Sequence, residues 1–156
     1  MQRITPFLWF DKEAVQAAKF YTSVFRDSKI KETTTLDNTP SGKVEIITIE
    51  LLGQEFTLIS AGPYFKFTEA ISFVVHCETQ KEIDYYWEKL SSDPKAEQCG
   101  WLKDKYGLSW QIVPTVLTKM LHDKDIKKVA RVTEAFLKMK KFDIEALEQA
   151  YKGEQM

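Results

Sequence analysis

The side chains that could do chemistry are few and scattered. Cysteine occurs at Cys77 and Cys99, and histidine at His76 and His122. A thiol becomes a nucleophile only when a base or a positive neighbour lowers its pKa. Nothing near Cys99 in sequence supplies one, so an inert thiol is the simpler reading. The two separated imidazoles build neither a metal site nor a triad. Glu55 opens a strand-like run, where a carboxylate reads as an edge charge. Gln111 offers an amide that could orient a polar ligand or hydrogen-bond the side chain of a neighbouring strand, and both readings stand. Lys103-Asp104-Lys105 reads as the charged tip of a hairpin. Residues 119–141 carry eight Lys or Arg against three Asp or Glu. That bias suits a solvated helix face or a surface for an acidic partner.

The elements that must position these groups follow from periodicity. Ile4 to Phe10 is a short apolar run that reads as a strand, and Asp11 stands where an N-cap would start a helix. Ala14, Ala17, Ala18, Tyr21, Val24 and Phe25 recur at helical spacing, predicting a helix from Lys12 to Phe25 with one face on a sheet. Three strands are predicted next, over Ile30 to Leu36, Val44 to Leu52 and Glu55 to Ser60, separated by Pro40-Ser41-Gly42 and Gly53 and closed by Gly62-Pro63. Ile71 to Cys77 then repeats the opening as a strand that runs into Thr79-Gln80-Lys81-Glu82, a capping-box spelling. Ile83, Tyr86, Trp87 and Leu90 form the stripe of the helix that follows. Cys99 to Leu102 and Leu108 to Val113 read as two further strands. The repeated order of elements suggests a degenerate internal duplication. After Pro114 the pattern is helical in three pieces, and Phe142, Asp143 and Leu147 are laid out as a hydrophobic staple around an N-cap.

Composition narrows the classes. A chain of 156 residues with 44% hydrophobic and 29% charged residues has the make-up of an ordinary globular domain. A net charge of −1 gives no global reason to bind nucleic acid or an anionic membrane. Two cysteines and the opening Met1-Gln2-Arg3-Ile4-Thr5-Pro6 predict reduced thiols, no signal peptide and a cytoplasmic location. Four Trp, six Tyr and ten Phe are a heavy aromatic load, suited to a large core or a ligand cavity.

The stretch Cys99-Gly100-Trp101-Leu102-Lys103-Asp104-Lys105-Tyr106-Gly107-Leu108-Ser109-Trp110-Gln111-Ile112-Val113-Pro114 closely resembles the signature of the PhnB-like branch of the vicinal-oxygen-chelate (glyoxalase/bleomycin-resistance/dioxygenase) superfamily. Ile4-Thr5-Pro6-Phe7-Leu8-Trp9-Phe10-Asp11, with Phe20-Tyr21, is similar to the same branch's opening, and Met139 to Leu147 to its tail. The resemblance implies an α+β fold of paired βαβββ modules forming a curled mixed sheet around a cleft, with C-terminal helices. It places a first module at 1–62, a second at 68–114 and a helical extension at 115–156, all in one domain. Some relatives carry the label 3-demethylubiquinone-9 3-methyltransferase. The six glycines, however, include no Gly-x-Gly pair for a Rossmann-type nucleotide loop.

Enzymes of the superfamily place one His, Glu or Gln on each of four strands to hold a divalent cation. Carried over by the strand-to-helix junctions, those positions fall on Thr5, near Leu58, on Ser72 and on Gln111, and only Gln111 could ligate. No metal and no cofactor are therefore expected. Strand alternation puts Ser109 and Val113 on the face of Gln111, and Trp110 and Ile112 on the helix side. Trp101, Phe7 and Trp9 could wall a cavity. The expected ligand-contacting set is thus Thr5, Phe7, Trp9, Leu58, Ser72, Trp101, Ser109 and Gln111. The expected function is a glyoxalase-like small-molecule binder or a metal-independent enzyme. The alternative is a ligand-free interaction or regulatory module whose aromatic cleft is filled by its own side chains. A metal-dependent lyase or dioxygenase would need ligands not found at these positions. The resemblance also implies a homodimer.

Overall fold

The computed structural model describes residues 2–154. The chain divides into two compact units, one ending at Phe67 and the other beginning at Thr68. The first unit runs β1 (Phe7–Phe10), α1 (Ala14–Val24), β2 (Ser28–Thr39), β3 (Gly42–Leu51) and β4 (Gln54–Ser60). Its four strands order as β1-β4-β3-β2, with β1 parallel to β4 and the other pairs antiparallel. Alternation decides which face α1 covers. Ile47 and Ile49 of β3 pair with Leu58 and Phe56 of β4, and all four are buried. Against β3 and β4 lies the α1 stripe of Ala14, Ala17, Ala18, Tyr21 and Val24. Each large aliphatic side chain taken from water on this face contributes about 1.5–3 kcal/mol.

The helix begins two residues later than its periodicity predicts, and Asp11 is not its cap. The Ala14 amide donates instead to Ser60 Oγ at 2.9 Å, so the first turn of α1 is capped from the end of β4. β2 is an edge strand of 12 residues, exposed along most of its length, and its pairing with β3 is interrupted between Ile30 and Glu32 and between Leu36 and Thr39.

The second unit runs β5 (Ser72–Cys77), α2 (Gln80–Leu90), a short 3-10 turn (Pro94–Ala96), β6 (Trp101–Lys103) and β7 (Ser109–Pro114). The helices α3 (Thr115–Leu121), α4 (Ile126–Leu137) and α5 (Ile144–Lys152) follow. Its sheet has three strands in the order β5-β7-β6, with β5 parallel and β6 antiparallel to β7. The fold is therefore α+β with two mixed sheets. The second unit's sheet has one strand fewer than the βαβββ pattern, and the 3-10 turn lies between α2 and β6. Thr79 Oγ1 accepts from the Glu82 amide at 3.2 Å, as the capping-box spelling predicts. Asp143 accepts from the Ala146 amide at 3.1 Å, while Phe142 and Leu147 are buried together, completing the staple.

Two sequence expectations need correction here. Cys99 and Gly100 are not strand residues: their φ values of +49 and +81 give them the handedness of a type I′ turn, closed by Trp101 N–H donating to Gln98 O at 2.8 Å. Their amides donate to Met139 O and Lys140 O, both at 2.8 Å, and so tie this turn to the chain just before α5. Asp104, expected at an exposed hairpin tip, is only 3% exposed. Its carboxylate accepts from the amides of Tyr106 (2.8 Å) and Leu108 (3.1 Å) and from the indole N–H of Trp110 (2.9 Å).

Two substitutions test these constraints by urea denaturation. Asp104→Ala orphans two buried donors and should cost about 2–5 kcal/mol. Gly100→Ala places a Cβ 2.4 Å from Phe142 Cε2 at a positive φ. It should cost about 2–4 kcal/mol.

Candidate functional site

In the second unit, α2 covers the side of the sheet that carries Val75, Cys77, Leu102, Trp110 and Ile112, all buried. Trp110 and Ile112 thus face the helices, as alternation predicts. The opposite face carries three rows set by strand register. Ser72, Ser109 and Lys103 form the first, Val74, Gln111 and Trp101 the second, and His76 and Val113 the third. Within this grid Gln111 Nε2 donates to Ser72 Oγ at 2.9 Å. Ser109 is 1% exposed, and its hydroxyl has no hydrogen-bond partner among the described residues. Lys103 is paired with Glu69, whose carboxyl is held below its ordinary range first by that hydrogen bond. Trp101 is half-buried beside Gln111, and Val74 is exposed. Four of the eight expected contact residues, Ser72, Trp101, Ser109 and Gln111, therefore share one strand face.

The first unit has its own uncovered face. Phe7 lies opposite Thr57 and Trp9 opposite Ile59, so these four side chains point away from α1. Phe7 is 58% exposed. Trp9 is partly covered: its indole N–H donates to Gly62 O at 2.9 Å and its ring meets Phe65 edge-on, with centroids 4.9 Å apart. Thr5 precedes β1, where its hydroxyl accepts from Gln2 Nε2 at 3.4 Å. Leu58 is 0% exposed, on the α1 side. The uncovered positions of β4 are Thr57 and Ile59, one residue away. The pairing of Phe56 and Leu58 with the buried Ile49 and Ile47 is the signal that separates the two faces.

The donor chemistry does not suit a divalent cation at the four carried-over positions. Thr5 and Ser72 offer neutral hydroxyls, Gln111 an amide already bonded to Ser72, and Leu58 only carbon. Among the described residues no group of three or more His, Cys, Asp or Glu could hold a metal. No helix among them is long and apolar enough to cross a membrane.

These features bear directly on the comparisons with known proteins. A family profile described as 3-demethylubiquinone-9 3-methyltransferase matches residues 2–113, from the opening strand through the uncovered face of β7. The chain belongs to this PhnB-like family. A solved PhnB protein from Bacillus cereus, described as a candidate 3-demethylubiquinone-9 3-methyltransferase, is 40% identical. The likeness covers 72% of this chain and 99% of that one, with a TM-score of 0.61. Protein PA1353 from Pseudomonas aeruginosa is 13% identical over 73% of this chain and 98% of its own, with a TM-score of 0.55. The fosfomycin resistance protein FosX from Listeria monocytogenes is 11% identical over 72% and 91%, with a TM-score of 0.52. With the last two the likeness is one of fold. No curated protein matches the chain. The family match ends before α3, so the helical tail lies outside it.

The two thiols of the PhnB-like chain should behave differently. Burial pushes the Cys77 thiol up to about 12, with the Glu82 carboxylate adding to the effect. The folded chain therefore keeps this proton where an unfolded chain loses it. That contribution to stability is intact below the ordinary thiol value of 9.0 and is lost as pH rises towards about 12. With Ellman's reagent at neutral pH, native protein should react at no more than one thiol per chain, Cys99. Peptide mapping should find Cys77 labelled only after denaturant is added.

Proposed function

We propose that this PhnB-like protein binds a small organic molecule on the face of β5, β7 and β6 opposite α2, and does so without a metal ion. The observation that carries this reading is the polar set Ser72, Gln111 and Ser109 beside the half-buried Trp101. A buried hydroxyl without a partner destabilises a fold, and a bound ligand can supply the missing hydrogen bond. The FosX proteins that share the fold are named for resistance to a small antibiotic, which fits a binding or detoxifying role. Methyl transfer, the activity in the family's description, has less support. The chain has no Gly-x-Gly pair, and neither sheet is the open parallel sheet that such a loop serves.

The alternative of an interaction module acting through the basic stretch is less favoured, because much of that charge is engaged internally. Arg131 donates to Ala150 O at 2.9 Å and Tyr151 O at 2.8 Å, capping the C-terminal end of α5. Lys128 lies 4.9 Å from the centroid of the Tyr151 ring, and Lys138 and Lys141 pair with Glu134 and Asp84. The partner we propose is a second copy of this chain, supported by the exposed apolar residues Phe7, Tyr64, Phe65 and Ile71. The two free cysteines suit a cytoplasmic setting.

Native mass spectrometry with elemental analysis of the purified protein tests this reading. The expected result is a metal-free dimer that retains or accepts a small organic ligand. Stoichiometric Ni, Zn, Mn or Fe would overturn the metal-independent reading, and a monomer at working concentration would remove the second copy.

A further inference from the structure

The face of the second unit's sheet opposite α2 constrains the charge and shape of what it binds. Between Lys103 in the first row and His76 in the third, its polar groups are hydroxyls and an amide. After the bond to Ser72, Gln111 keeps one amide N–H and its carbonyl oxygen, Ser72 keeps its hydroxyl hydrogen, and Ser109 keeps its full hydroxyl capacity. The cation in the same row, Lys103, is neutralised by Glu69. A charged ligand group placed here would give up its hydration without gaining an opposite charge. Around Gln111 the grid is apolar, with the broad indole of Trp101 on one side, Val74 on the other and Val113 in the next row, where His76 stands beside it.

We infer that this face selects a flat, uncharged organic molecule that rests on the Trp101 indole and turns one carbonyl, hydroxyl or carboxamide edge towards Ser109, Ser72 and Gln111. The inference rests on the small-molecule reading above and narrows it to a chemical class. Flat rings gain most from an indole face, and an edge with both donor and acceptor character matches the mixed capacity of two hydroxyls and an amide. It also gives Ser109 a purpose. Its buried hydroxyl has no partner among the described residues, and a ligand edge that reached it would supply one.

The test uses the full chain and three matched probes: benzamide (neutral), benzoate (anionic) and benzylamine (cationic). Binding is followed by the indole N–H signal of Trp101 and the side-chain amide signals of Gln111 in ¹H–¹⁵N spectra. Benzamide should shift both sets, with benzoate and benzylamine weaker by about tenfold or more, since an unmatched charge loses at least one hydrogen bond's worth of affinity. Ser109→Ala should leave the thermal midpoint unchanged or raise it while weakening benzamide, a pairing that a structural hydroxyl would not show. A lowered midpoint in Ser109→Ala would make the hydroxyl structural and overturn its assignment. Benzoate or benzylamine matching benzamide would overturn the neutral class and leave the pocket reading standing. If no probe shifts these signals, the class falls. An organic ligand retained in native mass spectra would then keep the broader reading alive, and its absence would end both.

Discussion

The second unit depends on one buried carboxylate. Asp104 sits where β6 gives way to β7, and its two oxygens gather two backbone amides and the Trp110 indole. This closes the 104–108 turn and fixes which side of β7 faces the helices. A slip of one residue would exchange the faces of Trp110 and Gln111. The turn chemistry and the polar grid are therefore one problem, because the bond that anchors Trp110 beneath the sheet is what presents Ser109 and Gln111 above it. The signature stretch from Cys99 to Pro114 is then chiefly a folding instruction, and its outward residues are the part that a ligand could meet.

A second constraint ties the tail to the same hairpin. Gly100 leaves room for the Phe142 ring, and the amides of Cys99 and Gly100 hold the chain before α5 by backbone bonds. Gln80 adds a third tether, donating to Phe142 O at 2.9 Å and accepting from the Ile144 amide at 2.8 Å. The start of α5 is thus held by the start of α2 and by the turn before β6. Helices α3, α4 and α5 bury their own cluster of Leu117, Met120, Val132, Phe142 and Leu147. They belong to the second unit although the family match stops before them.

How legible each feature was in the sequence follows from how far away its determinant lies. The capping box at Thr79 and the staple at Phe142 and Leu147 are set by neighbours within five residues, so their spelling sufficed. Strand order along the chain was readable for the same reason. The expectations that failed had distant or three-dimensional causes. Asp11 lost the capping of α1 to Ser60, some fifty residues on. Asp104 looked like a solvated charge because its indole partner is identified only when the hairpin closes. Leu58 was carried over to the ligand side from a junction that leaves the register open by a residue or two, and only its pairing with Ile47 places it beneath α1. The grid of Ser72, Ser109 and Gln111 was partly visible through alternation. The neutralisation of Lys103 by Glu69 was not, since nothing local links them.

The long edge strand of the first unit has a consequence for how the protein survives at high concentration. A strand of 12 residues with one free backbone edge is a template on which a stray chain could grow. Here the template is spoiled twice, by the interrupted pairing after Ile30 and after Leu36, and it is studded with Lys29, Lys31, Glu32 and Asp37. An incoming strand would find neither an even ladder nor a continuous greasy surface. The irregularities that make β2 look poorly formed thus act as a guard against fibrous self-association. Straightening the strand by design would trade that protection for a tidier sheet.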